Sequence, residues 1–141
     1  HGLIHAIEYE VEMLQKTGQL LVEFTVSGTP FFMEVSKELV AFRIIQESCN
    51  NAIKHSGAKN IFINLCYHEH NIEIQIRDNG RGFDPDELKN RKFNKPFSGI
   101  KNIRNRATML KATINIESQP GAGTSINLII PNNEPDAAKT N

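Results

Sequence analysis

Apolar positions change their period several times along the chain, and each change marks an element. In "GLIHAIEYEVEMLQK" (2–16), Leu3, Ile7, Val11 and Leu14 recur at helical spacing, and Thr17-Gly18 supplies the stop. The period drops to two in "LLVEFTVSG" (20–28), where Val22, Phe24 and Val26 alternate with Glu23, Thr25 and Ser27, as in a half-buried strand. "GTPFFM" breaks that pattern, and a long helix is predicted from about Ser36 to His55, stopped by Ser56-Gly57. "NIFINLCYH" (60–68) and "NIEIQIRD" (71–78) read as two strands joined by a short polar turn. About twenty residues without a strong period follow, "NGRGFDPDELKNRKFNKPFS", and a stretch that long inside a compact domain is usually functional or mobile. Helical spacing resumes near Gly99 and lasts to about Lys111; "ATINIESQ" and "TSINLIIP" then form strands on either side of "PGAG". The polar tail from Asn132 is expected to be disordered.

The predicted order is α-β-α-β-β-loop-α-β-β. Half-buried strands need one face covered, and amphipathic helices supply the cover. The expected fold class is therefore α/β (α+β), a two-layer sandwich with a five-stranded mixed sheet covered on one face by three helices. No internal repeat or linker divides the 141 residues, which suffice for one domain with its own core.

Composition narrows the partners. Lys+Arg and Asp+Glu stand at 16 each, so bulk charge gives no reason to expect nucleic acid or a membrane surface. No apolar run approaches the roughly 20 residues of a membrane span, and no signal-peptide pattern opens the chain. A cytoplasmic chain is expected, with Cys49 and Cys66 as small buried hydrophobes in a reducing compartment.

Four stretches carry candidate chemistry. On the long helix, Phe42, Ile45, Cys49, Ala52 and Ile53 fall within one arc and predict the core stripe; Arg43, Glu47, Asn51 and Lys54 lie opposite, bordered by Val40 and Ile44. A solvated face is the ordinary reading of such a stripe. A carboxylate, a carboxamide oxygen and an ammonium in line also offer ligands to a hard cation and a counter-charge to phosphate. In "DNGRGFDPDEL" (78–88), Asn-Gly after a strand suggests a hairpin, but no return strand follows. Gly80 and Gly82 let the backbone bend sharply near a ligand, and the Asp78 carboxylate, an acceptor only, would select an exocyclic amine such as adenine's. Gly99 precedes a helix bearing Lys101, Asn102, Arg104 and Arg106, either a solvated basic face or an anion site. "PGAGT" (120–124) is a glycine-rich hairpin loop or a backbone wall beside a nucleotide, with the Thr124 hydroxyl free for a base or water. His68 and His70 flank a turn, but two ligands alone make a weak metal site.

Taken together, "RIIQESCNNAIKHSGA" (43–58), "IRDNGRGFDP" (76–85), "GIKNIRNRATML" (99–110) and "PGAGTSINLIIP" (120–131) resemble the catalytic, ATP-binding domain of bacterial two-component sensor histidine kinases. More widely they resemble the GHKL superfamily, which includes DNA gyrase, mismatch-repair ATPases and heat-shock chaperones of the ninety-kilodalton class. The resemblance covers about residues 20–131 and implies the Bergerat fold, ATP and magnesium as ligands, and protein-histidine kinase activity. By position it implies Asn51 as the magnesium ligand, Glu47 as the acidic catalytic residue, Lys54 as a phosphate contact and His55 as its neighbour in the same box. Asp78 would accept the adenine amine; Gly80, Gly82 and Phe83 would shape that wall. Gly99 and Ile100 would close an ATP lid spanning roughly 84–98, and Gly121, Gly123 and Thr124 would form the last box. One departure stands out: Phe97 occupies the place of the second box's first glycine, and Ile100 that of its leucine.

No histidine sits in the expected phosphoacceptor context, since His1 precedes Gly2 and His5 precedes Ala6. Residues 1–18 are thus expected to be a linker helix from an absent dimerisation domain, 19–131 the catalytic domain, and 132–141 a tail. The implied partners are ATP, that phosphoacceptor domain and a downstream response regulator, with no nucleic acid, no membrane contact and a monomeric isolated domain. The alternatives are a hydrolytic GHKL ATPase with Glu47 as base toward water, an anti-sigma-factor serine kinase, or a nucleotide-binding regulatory module without catalysis.

Overall fold

A computed structural model describes residues 2–16, 18–54, 56–84 and 98–132. Its elements run α1 (Gly2–Gln15), β1 (Leu21–Gly28), α2 (Val35–Lys54), β2 (Asn60–Tyr67), β3 (Asn71–Asp78), α3 (Ser98–Met109), β4 (Thr113–Ser118) and β5 (Thr124–Pro131). The strands form one sheet in the order β1-β2-β3-β5-β4. β1 and β2 pair in parallel, because α2 carries the chain back between them; all other pairs are antiparallel. The expected mixed five-stranded sheet and three helices are what the described residues form.

Period-two patterning sets the two faces. Ile61, Ile63 and Leu65 on β2, Ile72, Ile74 and Ile76 on β3, and Ile126, Leu128 and Ile130 on β5 are all buried beneath the helices. Burying each such side chain stabilises the fold by about 1.5–3 kcal/mol before entropy is counted. Many outward positions are polar: Thr25 Oγ1 donates to Asn64 Oδ1 at 2.7 Å, and Asn64 Nδ2 to Gln75 Oε1 at 3.4 Å. Edge strand β1 is covered less evenly; Val22 is buried but Val26 remains 38% exposed.

α2 is the central helix, contacted by α1 on one flank and α3 on the other. That double cover corrects the predicted core arc. Ile45, Cys49 and Ala52 are buried as expected, and burial pushes the Cys49 thiol up to about 12. Ile44, expected at the edge of the polar stripe, is fully buried, and so is Ser48, whose hydroxyl donates to the Ile44 carbonyl at 2.8 Å. Phe42 is only partly buried and Ile53 is 36% exposed. Beyond the end of α2 at Lys54, Gly57 has a φ of +62° that lets the Ala58 N–H bond back to the Ala52 carbonyl at 2.9 Å. α1 buries Leu3 and Ile7 and is part of the core.

Candidate nucleotide site

Strand register builds one end of the site. Inside the sheet, the row Phe24–Ile63–Ile76–Ile126–Ile116 is wholly apolar. The next row toward the glycine loops is Val22–Ile61–Asp78–Thr124–Ser118, and there the core turns polar. Asp78 thus occupies an inward position, one period beyond Ile76. Burial pushes its carboxyl above the usual value of 3.8, while hydrogen bonds from the backbone N–H groups of Gly80 and Thr124 pull it back down. The Gly80 bond measures 2.8 Å to Oδ1.

Two glycine-containing loops close over this row. Gly82 has φ +66°, and a Cβ there would drive into the Gln119 and Gly123 carbonyls; Gly123 has φ +78°, and its Cβ would strike the Asp78 carbonyl. The Arg81 carbonyl accepts the Gly121 N–H, and Ser118 Oγ accepts the Phe83 N–H at 2.9 Å. Gly121 itself serves the turn, with φ +84° and open space where a Cβ would lie. Asn79 clamps the other side: its Oδ1 accepts the N–H groups of Lys59 and Asn60 at 3.0 and 2.9 Å. The Asn-Gly pair after β3 therefore anchors a loop to the start of β2 rather than reversing into a hairpin. A cleft of about 640 Å³ opens here, lined among others by Asp78, Ser118, Gly123 and Thr124. It wraps past the sheet end to Phe62, Arg77 and Ser125 on the outer face, and Glu47, Asn51 and Lys54 do not line it.

α2 and α3 build the other end. Gly99 is the second residue of α3 rather than its predecessor, and it is buried. A Cβ on it would come within 2.6 Å of Asn51 Oδ1 and 2.7 Å of Glu47 Oε2, so the missing side chain lets α3 start against these two groups. Glu47 Oε1 lies 3.9 Å from Arg106 Nη1. Asn51 Nδ2 is buried with no hydrogen-bond partner. Of the expected polar stripe, Glu47 and Asn51 are brought together, while Lys54 and Arg43 are exposed and Arg43 bonds Gln46 at 3.0 Å. Ile100 is buried among the core residues of α3, and Phe83 packs against the core. His55, Phe97, His1, nearly all of the expected lid and all but Asn132 of the expected tail lie outside the described residues. His68 and His70 stand beside Glu73 and Glu69 at 3.4 and 3.0 Å. Among the described residues no group of three or more His, Cys, Asp or Glu converges on a metal position.

Residues that the sequence reading passed over are Ser118 and Asn79. For Ser118 a signal existed, because serine replaces isoleucine at the last inward position of Ile114, Ile116, Ser118.

Comparison with known proteins fits this geometry. The family described as histidine kinase-, DNA gyrase B- and HSP90-like ATPase matches residues 36–134. The signal transduction histidine-protein kinase/phosphatase DegS of Brevibacillus brevis is 29% identical over 92% of this chain and 32% of its own length. The sensor protein VraS of Staphylococcus saprophyticus is 38% identical over 68% of the chain and 26% of its own. The chain thus spans about a quarter to a third of these relatives. Among solved structures, the ATP-binding domain of PrrB from Mycobacterium tuberculosis superposes with a TM-score of 0.71 at 20% identity, covering 94% of this chain and 95% of that one, which is a likeness of fold. The match spans well over half of the chain and includes every element from α2 to β5, so this protein belongs to the histidine kinase-, DNA gyrase B- and HSP90-like ATPase family.

Proposed function

We propose that the chain is the ATP-binding catalytic domain of a sensor histidine kinase. It passes the ATP γ-phosphate to a histidine on a separate dimerisation domain, for relay to a response regulator. The observation that carries this reading is the polar row at the end of the inner sheet face, where the half-buried Asp78 carboxylate stands beside Thr124 under glycines that a Cβ would displace. An ionised carboxylate only accepts hydrogen bonds, so the row suits a base with an exocyclic amine.

Phosphoryl transfer is mostly positioning and charge neutralisation. Asp78 holds the base by its amine, and Gly80 and Gly82 let their loop pack closely against Ser56, Gln119 and Gly123 beside that row. The first N–H groups of α3, beside Gly99, favour an anion, and the exposed Lys54 adds a positive charge. The donor set fits magnesium: Asn51 has a buried amide with an unpartnered end, and turning that amide would present Oδ1 as a single protein oxygen. Bound there with phosphate, magnesium offsets the negative charge of the phosphate oxygens. Glu47, adjacent to Asn51 and Arg106, would take a proton from the attacking group. α1 would connect the domain to its phosphoacceptor partner. No helix among the described residues is long and apolar enough to cross a membrane, and the domain would act in the cytoplasm.

A hydrolytic ATPase is the second reading, since Glu47 could equally act on water. Labelled ATP separates them when the chain is joined to the phosphoacceptor helices of a relative. Acid-labile, base-stable label on those helices is the expected result. Rapid phosphate release without such label, lost in Glu47→Ala, would establish the hydrolase instead.

A further inference from the structure

Ser118 lines the polar row but has no role in the proposed chemistry, yet it is 6% exposed and its single hydroxyl meets three polar groups. It has one proton to give and two lone pairs to receive. The Phe83 N–H donates to Oγ at 2.9 Å. The Ser118 hydroxyl donates to the Gly123 carbonyl at 3.1 Å. With that proton committed, the 2.9 Å contact to Thr124 Oγ1 can only run from Thr124 to Ser118. The reverse arrangement would give up the bond to a carbonyl on a buried residue.

We propose that Ser118 is a positioning residue of the nucleotide site, which fixes the Thr124 hydroxyl as a hydrogen-bond acceptor toward the base and ties the Gly80–Phe83 loop to the same floor. The proposal rests on the nucleotide reading and adds a basis for base selection. Asp78 and Thr124 stand opposite each other in the register of β3 and β5, so two adjacent groups then present lone pairs. An amino group at the purine 6-position satisfies them, whereas a 6-keto group faces acceptors with an acceptor. Without Ser118, Thr124 can turn its proton toward the ligand and the keto base is no longer opposed.

The test measures binding of ATP and inosine triphosphate to the chain and to Ser118→Ala, Thr124→Val and the double variant. Ser118→Ala should narrow the preference for ATP by about tenfold. In the Thr124→Val background it should narrow it no further, because the effect passes through that hydroxyl. An unchanged ATP-to-inosine ratio in Ser118→Ala, even with both affinities or the melting temperature lowered, would overturn the proposal, as would independent effects of the two substitutions. Ser118→Cys keeps the shape with a weaker donor and carries the same test where the alanine variant does not fold. Asp78→Asn distinguishes the two levels. Unchanged ATP affinity there removes the nucleotide reading and this proposal with it; reduced affinity beside an unmoved Ser118→Ala ratio removes this proposal alone.

Discussion

At the end of β3, Asp78, Thr124 and Ser118 are adjacent because three strands are in register, and backbone or hydroxyl hydrogen bonds hold each of them. On α2, Glu47 and Asn51 are adjacent because they lie one turn apart, and they face α3 with a 3.9 Å ion pair and an amide lacking a partner. The first region is complete before any ligand arrives. The second holds one buried amide group, Asn51 Nδ2, that has no hydrogen-bond partner among the described residues. A floor made of register and glycine suits a neutral, rigid base, whose recognition depends on placement. A helix surface with open capacity suits phosphate and its cation, which bring their own charge and oxygen ligands.

This contrast predicts that the base end carries fold and binding together, whereas the phosphate end carries binding and transfer alone. The largest effect should come from Gly123→Ala. Its φ of +78° and the Asp78 carbonyl in the path of a Cβ should cost about 3 kcal/mol or more in chemical unfolding. Gly121→Ala shares a positive φ but meets open space, so about 1 kcal/mol is expected; equal losses at the two positions would contradict the packing described. Next comes Asp78→Asn, which removes a charged acceptor and should weaken ATP about 10- to 100-fold in calorimetry. Asn51→Ala should weaken ATP about tenfold in magnesium yet leave stability unchanged or slightly raised, because it deletes a buried amide end with no partner. The smallest effect belongs to Arg106→Gln: its half-exposed ion pair with Glu47 should contribute under about 1 kcal/mol to unfolding.

Acidification gives an independent handle on the base end. Burial raises the Asp78 carboxyl above 3.8, so its folded value exceeds its unfolded one. The folded state then holds the proton more tightly, and the cost of burying the charge is absent at low pH and appears as pH rises through the folded value. Base binding needs the charged form and runs the other way. ATP affinity should fall on acidification at a pH above that of an ordinary carboxylate, and Asp78→Asn should abolish that fall.

Much of this was legible in the chain because it is local. Alternation along β3 gave the strand and put Asp78 at its end, and paired glycines with no return strand pointed away from a hairpin. The four polar stretches, joined by their family resemblance, pointed to Asp78 and Thr124 at the sheet end and to Glu47 and Asn51 on α2. What escaped depends on partners far away in sequence. Ile44 looked peripheral on a helical wheel because the wheel does not show that α3 covers that flank. Ser118 looked like an ordinary strand end until pairing placed it beside Thr124, six residues on, and under the Phe83 N–H, thirty-five residues back. Asn79 seemed a turn residue; its work is to hold Lys59 and Asn60 across the fold.

The most direct test of the account is ATP titration of the chain, Asp78→Asn and Asn51→Ala by calorimetry, each with magnesium and with a chelator. Asp78→Asn should lose affinity in both conditions, and Asn51→Ala only in the presence of magnesium. Affinity unchanged in both variants, or a loss in Asn51→Ala that persists under chelation, would contradict the division of the site into a base end and a cation-dependent phosphate end.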